Sequence, residues 1–197
     1  SVHPVGVAIG GFHHAPTQDK VNSLRQRLEE GLEQAEALLN WLPNVNLPQD
    51  TQSLNMVAIS QNECYAMIDG DIISSQGLDL PQEQFYDHFK EEQVAYSTAK
   101  HCLLDSKPYL VGPLARLNLN YEYLPQPVKD LWQKVGISLP TTNMFHSLYA
   151  RAIEIYFAFY EAHRILTDYE YTEYPAEKFT PKAGTGYGCT EAPRGML

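Results

Sequence analysis

An acid and an arginine flank a stiff step in Glu191-Ala192-Pro193-Arg194-Gly195, just after the glycine-rich run Gly184–Gly188. A flexible run followed by proline can carry a guanidinium to a buried anionic ligand, where its permanent charge and five donors are useful. The same residues could close an internal Glu191–Arg194 ion pair that pins a loop, and residue chemistry alone favours that pinned loop. A second segment, Lys107-Pro108-Tyr109-Leu110-Val111-Gly112-Pro113-Leu114-Ala115-Arg116-Leu117-Asn118, differs in the same way from the rest of the chain by placing an arginine behind a Gly-Pro step.

Other chemistries find less support. Of seven histidines, His13 and His14 are neighbours, a poor chelating spacing. His146 and His163 are too far apart along one helix to share an ion, and no HExxH is present. The three cysteines, Cys64, Cys102 and Cys189, form no Cys-x-x-Cys pair and no disulfide framework. No metal site is therefore expected within this chain. Ser106 and Ser147 lack a GxSxG context. Asp69-Gly70-Asp71 reads as a turn with too few oxygen ligands for calcium. Gly184-Thr185-Gly186-Tyr187-Gly188 has no following Lys-Ser/Thr, so it is no phosphate loop.

Composition narrows the partners. A length of 197 residues with 44% hydrophobic and 19% charged residues suits one globular unit spanning 1–197. Fourteen basic against 24 acidic residues leave a net charge of −10, which argues against nucleic acid. The most apolar stretch, Ile155 to Tyr160, is too short to span a membrane. The opening Ser1-Val2-His3-Pro4 carries no initiator Met, basic leader or apolar signal region and reads as the start of a processed chain. A cytoplasmic location is expected.

The elements that must position these residues are read from periodicity. Thr17 is a candidate N-cap for a helix over Gln18–Trp41 with a buried stripe of Leu24, Leu28, Leu32, Ala35 and Leu39, stopped ahead of Pro43. Met56–Ile59, Tyr65–Ile68 and Ile72-Ile73 around Asp69-Gly70-Asp71 predict a hairpin. Pro81 opens a helical stretch with Phe85, Phe89 and Val94 on one face, and Pro127 to Val135 predicts a short helix ended by Gly136. Asn143 is a candidate cap for a second long helix over Met144–Thr167. Its stripe is Phe145, Leu148, Ala152, Ile155, Phe159, Ala162 and Leu166, widened by Tyr149, Ile153, Tyr156 and Tyr160. Tyr169–Tyr174 fits an edge strand or a partner-covered surface. The expected class is α+β, mostly helical, with two long helices and a small antiparallel sheet region.

Together, VGPLARLN and TEAPRGML resemble the large, catalytic subunit of nickel–iron hydrogenases, in particular the soluble cytoplasmic types. His3-Pro4 ahead of Gly10-Gly11 resembles the family's upstream segment, although Ile9 stands where the family often has proline. The order and separation of the three segments fit, so the resemblance covers essentially the whole chain. EAPRG is the most specific of them and GPLAR adds to it.

The resemblance implies heterolytic splitting of dihydrogen, and its reverse, at a nickel–iron centre whose iron carries cyanide and carbon monoxide. Nickel is then held by two Cys-x-x-Cys motifs that this sequence lacks, which implies an interior piece of such a protein, inactive alone and without cofactor. Arg194 matches an arginine whose guanidinium lies over the metal site, and Pro193 the proline beside it. Glu191 would support the loop and Arg116 would anchor structure by tying backbone carbonyls together, with Gly112, Pro113, His3, Gly10 and Gly11 as motif support. The implied partners are an iron–sulfur small subunit, further electron-transfer subunits and dihydrogen. Two other readings compete: the related quinone-reacting subunit of respiratory complex I, and a non-catalytic subunit-interaction domain.

Overall fold

A computed structural model describes residues 6–197. Strands β1 (Val7–Ala8) and β2 (Gly11–Phe12) form a hairpin ahead of helix α1 (Gln18–Trp41). A meander of β3 (Asn55–Ser60), β4 (Asp71–Ser74) and β5 (Asp79–Leu80) follows, and one helical turn, α2 (Phe85–His88), leads into the antiparallel pair β6 (Phe89–Glu92) and β7 (His101–Leu104). Strand β8 (Tyr109–Leu110) precedes α3 (Pro113–Asn120), α4 (Gln126–Val135) and α5 (Ser147–Thr167). The chain closes on a hairpin of β9 (Glu191–Ala192) and β10 (Gly195–Met196). The class is α+β, dominated by α1 and α5, as the sequence predicts.

Helix α1 has the predicted bounds and begins after Thr17, although the Thr17 side chain makes no capping bond. Helix α5 starts one 3-10 turn later than predicted. The Asn143 side chain caps that turn instead, accepting from the Phe145 N–H at 3.1 Å. The buried face of α1 follows the predicted stripe through Ala35 and Leu39, whereas that of α5 is turned towards Tyr149 and Ile153, the residues expected only to widen its stripe. Val21, Gly31, Ala35 and Leu39 are buried on α1 while Leu24 is exposed; Tyr149, Ala150, Ala152, Ile153 and Phe157 are buried on α5 while Leu148 and Ile155 are exposed. The two helices approach closely at Gly31. Gly31 faces the Phe159 ring, and a Cβ there would stand 2.6 Å from Phe159 Cε1. Small residues, rather than the leucine-richest face, set where two helix backbones meet.

Helix α4 ends at Gly136 in the left-handed region (φ 76°), as predicted. Leu114, Leu117, Val128, Leu131 and Trp132 join α1 and α5 residues in the larger core. The smaller core, with Val57, Ile59, Ile72, Phe89 and Leu104, lies under the sheets. Helix α3 packs on both β3 and α5, so it sits where the helical and β layers meet.

Three sequence expectations are corrected. Tyr65–Ile68 is not the first strand of the hairpin: β3 pairs with β4 from Val57↔Ser74 to Ser60↔Asp71, and 61–70 is the connection. Its Met67 carbonyl accepts the Glu191 N–H at 2.8 Å, so this segment pairs with the distant C-terminal hairpin. The helix after Pro81 stops at His88, because Phe89 and Leu104 are drawn into the smaller core as a strand pair; Phe85 and Phe89 still share a face, with rings stacked at 4.4 Å. Of the two readings of Tyr169–Tyr174, the edge strand is the one that does not form; Tyr171 and Tyr174 are exposed. The strand pairs are antiparallel as expected, apart from the short parallel pairing of β8 with β3.

Candidate functional site

The fold brings the two singled-out segments together. Pro193 and Arg194 form the two-residue turn of the β9–β10 hairpin, and Thr190 and Leu197 extend it through backbone bonds of 3.0 and 2.8 Å. Gly112 precedes α3 at φ 94°, where the Arg194 carbonyl oxygen comes so close that a Cβ would stand 3.0 Å from it. Gly195 (φ 143°) packs still closer on Val111, where a Cβ would stand 2.4 Å from Cγ2. Pro113 occupies the first turn of α3, where its missing N–H costs nothing.

Arg116 lies beneath the hairpin and is fully buried, at 0% exposure. Its Nε and Nη2 donate to the two carboxylate oxygens of Glu154 on α5, each at 2.7 Å. Its Nη1 donates to Glu191 Oε2 and to the Ala192 carbonyl, each at 2.8 Å. The remaining Glu191 oxygen accepts the Ile59 N–H at 3.0 Å, and the Tyr65 hydroxyl donates to Glu154 Oε1 at 2.8 Å. Helix α5 and strand β9 thus meet on one guanidinium carried by α3, which ties only one backbone carbonyl and two carboxylates, rather than the several carbonyls expected of it.

Burial works against the Arg116 charge, but the bonds and charges of Glu154 and Glu191 outweigh it and raise its pKa further above the ordinary value. Burial pushes Glu191 above the usual carboxylate range, with Arg116 and the Ile59 amide pulling back. Both Glu191 oxygens accept from N–H donors, so the carboxylate is the form this geometry holds. Burial and the Glu154 carboxylate keep the Tyr65 phenol protonated well above pH 10.

The Glu191–Arg194 ion pair favoured by residue chemistry does not form. Glu191 is committed to Arg116 below, while Arg194 and Pro193 are exposed at the turn, and Arg194 has no ion-pair partner among the described residues. Gly10 and Gly11 are placed elsewhere: they pack against Pro175–Glu177, with Glu177 N–H donating to the Gly10 carbonyl at 3.0 Å. His3 and Pro4 lie outside the described residues. Sequence reasoning missed Glu154 and Tyr65. The available signal was an acid inside the apolar run Ile153-Glu154-Ile155-Tyr156, a placement that demands a partner.

Among the described residues no group of three or more His, Cys, Asp or Glu side chains is placed to hold a metal ion. Cys64 is exposed, Cys102 half-buried and Cys189 buried, none of them paired. Burial, and then the nearby Glu191 charge, push the Cys189 thiol up, opposite to what a thiolate ligand needs. No helix of the described residues is long and apolar enough to cross a membrane.

No family model matches the chain. Over its whole length it is 26% identical, across 201 residues, to the alpha subunit of sulfhydrogenase 1 from Pyrococcus furiosus, of which it covers 47%. It is 25% identical over 220 residues to a subunit of the F420-non-reducing hydrogenase vhu from Methanocaldococcus jannaschii, covering 52% of that protein. Among solved structures, an NAD+-reducing NiFe hydrogenase in the H2-reduced state aligns with a TM-score of 0.82 over 95% of this chain and 47% of that one, at 19% identity, which shows a shared fold. The chain spans about half the length of the curated relatives it matches.

Proposed function

The chain is a relative of hydrogenase alpha subunits, and on that footing we propose that it is an interior part of the catalytic subunit of a nickel–iron hydrogenase that interconverts dihydrogen with protons and electrons. The single observation that supports this most is Arg194: an exposed guanidinium, without an ion-pair partner among the described residues, at the turn of a hairpin whose mount is buried. A free cation on a fixed mount is what electrostatic preorganisation requires, since its donors need no reorganisation when charge develops beside them.

The nickel–iron centre, with cyanide and carbon monoxide on its iron, would supply the dihydrogen chemistry of that protein. The thiols of this chain do not fit as its ligands, being dispersed and, at Cys189, buried in an apolar cluster. The work left to this chain is therefore positioning. Pro193 stiffens the turn, Gly112 and Gly195 let it lie close on α3, Glu191 and Arg116 hold its base, and Arg194 projects the charge. An iron–sulfur small subunit, further electron-transfer subunits and a cytoplasmic location belong to the same proposal, as do the inactivity of this chain alone and its folding as one unit.

Substituting Arg194→Lys in the full-length enzyme tests it. Lysine keeps the charge and loses the planar fork, and hydrogen turnover is expected to fall by about a hundredfold with metal content unchanged. Unchanged turnover would leave the hairpin as a packing device and overturn the proposal.

A further inference from the structure

Glu154 sits on α5, far along the chain from the hairpin, yet the hairpin's attachment runs through it. Arg116 makes four hydrogen bonds, two to Glu154 and two to the Glu191–Ala192 strand. The side-on grip of Glu154 on Nε and Nη2 fixes the plane of the guanidinium, and a fixed plane dictates where Nη1 points. Nη1 is the group that meets both Glu191 Oε2 and the Ala192 carbonyl, the residue immediately before the Pro193–Arg194 turn. Tyr65 fixes Glu154 in turn: its hydroxyl donates to Oε1, and its ring packs edge-on against Phe157, one turn further along α5, at 5.2 Å.

The charges make this arrangement sensitive. One guanidinium faces two carboxylates, so both acids are satisfied by Arg116 only where the guanidinium is shared in this orientation. Rotating it to serve Glu191 alone would strand Glu154 at 11% side-chain exposure. Losing Glu154 frees Arg116 to swing, and the hairpin loses the defined position of its anchor while keeping the Ile59 and Met67 backbone contacts.

We propose that Glu154 is a positioning residue for Arg194, acting through the Arg116 guanidinium and supported by Tyr65. The link to catalysis rests on the reading of Arg194 given above; the link to hairpin order does not.

The two are separated by reading local order directly. In the full-length protein, Glu154→Gln is expected to speed amide exchange over Thr190–Leu197, and tryptic cleavage after Arg194, by about tenfold relative to cleavage after the exposed Lys182. Helical amides of α1 should be unchanged. In the enzyme, turnover should fall while the KM for dihydrogen stays constant, because a displaced cation affects the reacting state and not access. If Glu154→Gln leaves the hairpin amides unaltered, or accelerates all amides alike, the proposal is overturned. Where that variant does not fold, Tyr65→Phe removes one hydrogen bond and no charge; it should move the same amides by a few-fold, and no change there also overturns the proposal. A loosened hairpin combined with an Arg194→Lys enzyme of normal turnover would sustain the anchoring and sink the catalytic reading.

Discussion

Arg116 and Glu154 meet side-on through two bonds of 2.7 Å, from helices whose contacting residues lie 38 positions apart. Both groups are nearly lost to solvent, at 0% and 11% side-chain exposure. A buried pair of this kind adds little net stability, because desolvation offsets most of its attraction. Its consequence is specificity: it tells α3, α5 and the terminal hairpin where to sit relative to one another.

Removing the cation should therefore be far worse than altering it. Arg116→Leu leaves Glu154 and Glu191 buried without their shared partner and is expected to cost about 3–5 kcal/mol. Arg116→Lys keeps the charge but cannot serve both carboxylates, and should cost less. Urea midpoints of the two variants at neutral pH check both the size and the order.

Gly31 faces the Phe159 ring at the α1–α5 contact, so Gly31→Ala should be destabilising despite better helix propensity. Alanine gains about 1 kcal/mol in a helix interior, while forcing the ring or the helices to shift costs about 1–3 kcal/mol. Adding Phe159→Leu removes the atoms that the new methyl would strike. In the double variant the propensity gain should reappear, measured as a higher thermal midpoint than that of Phe159→Leu alone.

What was legible in the sequence follows from which forces are local. The bounds of α1, the Gly136 stop and the Asn143 cap rest on residues within a turn of one another, and periodicity reads them. The burial of Gly31 and the turned face of α5 do not, because contacts such as that of Gly31 with Phe159 join distant segments. Tyr65–Ile68 has strand composition, yet its Met67 carbonyl is claimed by Glu191. At the site, the motif residues Gly112, Pro113, Arg116, Glu191, Pro193 and Arg194 were visible as a set, but the pairing among them was not. Nearness along the chain suggested Glu191–Arg194, whereas the buried carboxylate required a buried cation.

Gly112 combines φ 94° with the closeness of the Arg194 carbonyl, so Gly112→Ala meets two penalties at once. The backbone conformation, φ 94° with ψ −164°, alone costs about 1–3 kcal/mol for an L side chain, and the methyl group also presses on the hairpin. The expected result is a modest fall in global stability with a disproportionate rise in tryptic cleavage after Arg194. A uniform loss across the protein, without the local effect, would show that the hairpin does not depend on this contact.

His146 predicts a pH dependence whose sign is fixed by its burial. Burial lowers its pKa below the usual 6.5, and its Nδ1 lies 2.7 Å from the Thr141 hydroxyl oxygen. Below pH 6.5 the unfolded chain takes up a proton at this site before the folded one does, so stability falls as pH drops from 6.5 toward the depressed value. Other groups also titrate over this range, so a single profile would not isolate His146. Comparing His146→Gln with the unaltered protein does: glutamine cannot titrate, and everything else cancels in the difference. The stability gap should close or reverse in favour of the variant as the pH is lowered below 6.5, and a gap constant across that window would mean that His146 titrates alike folded and unfolded.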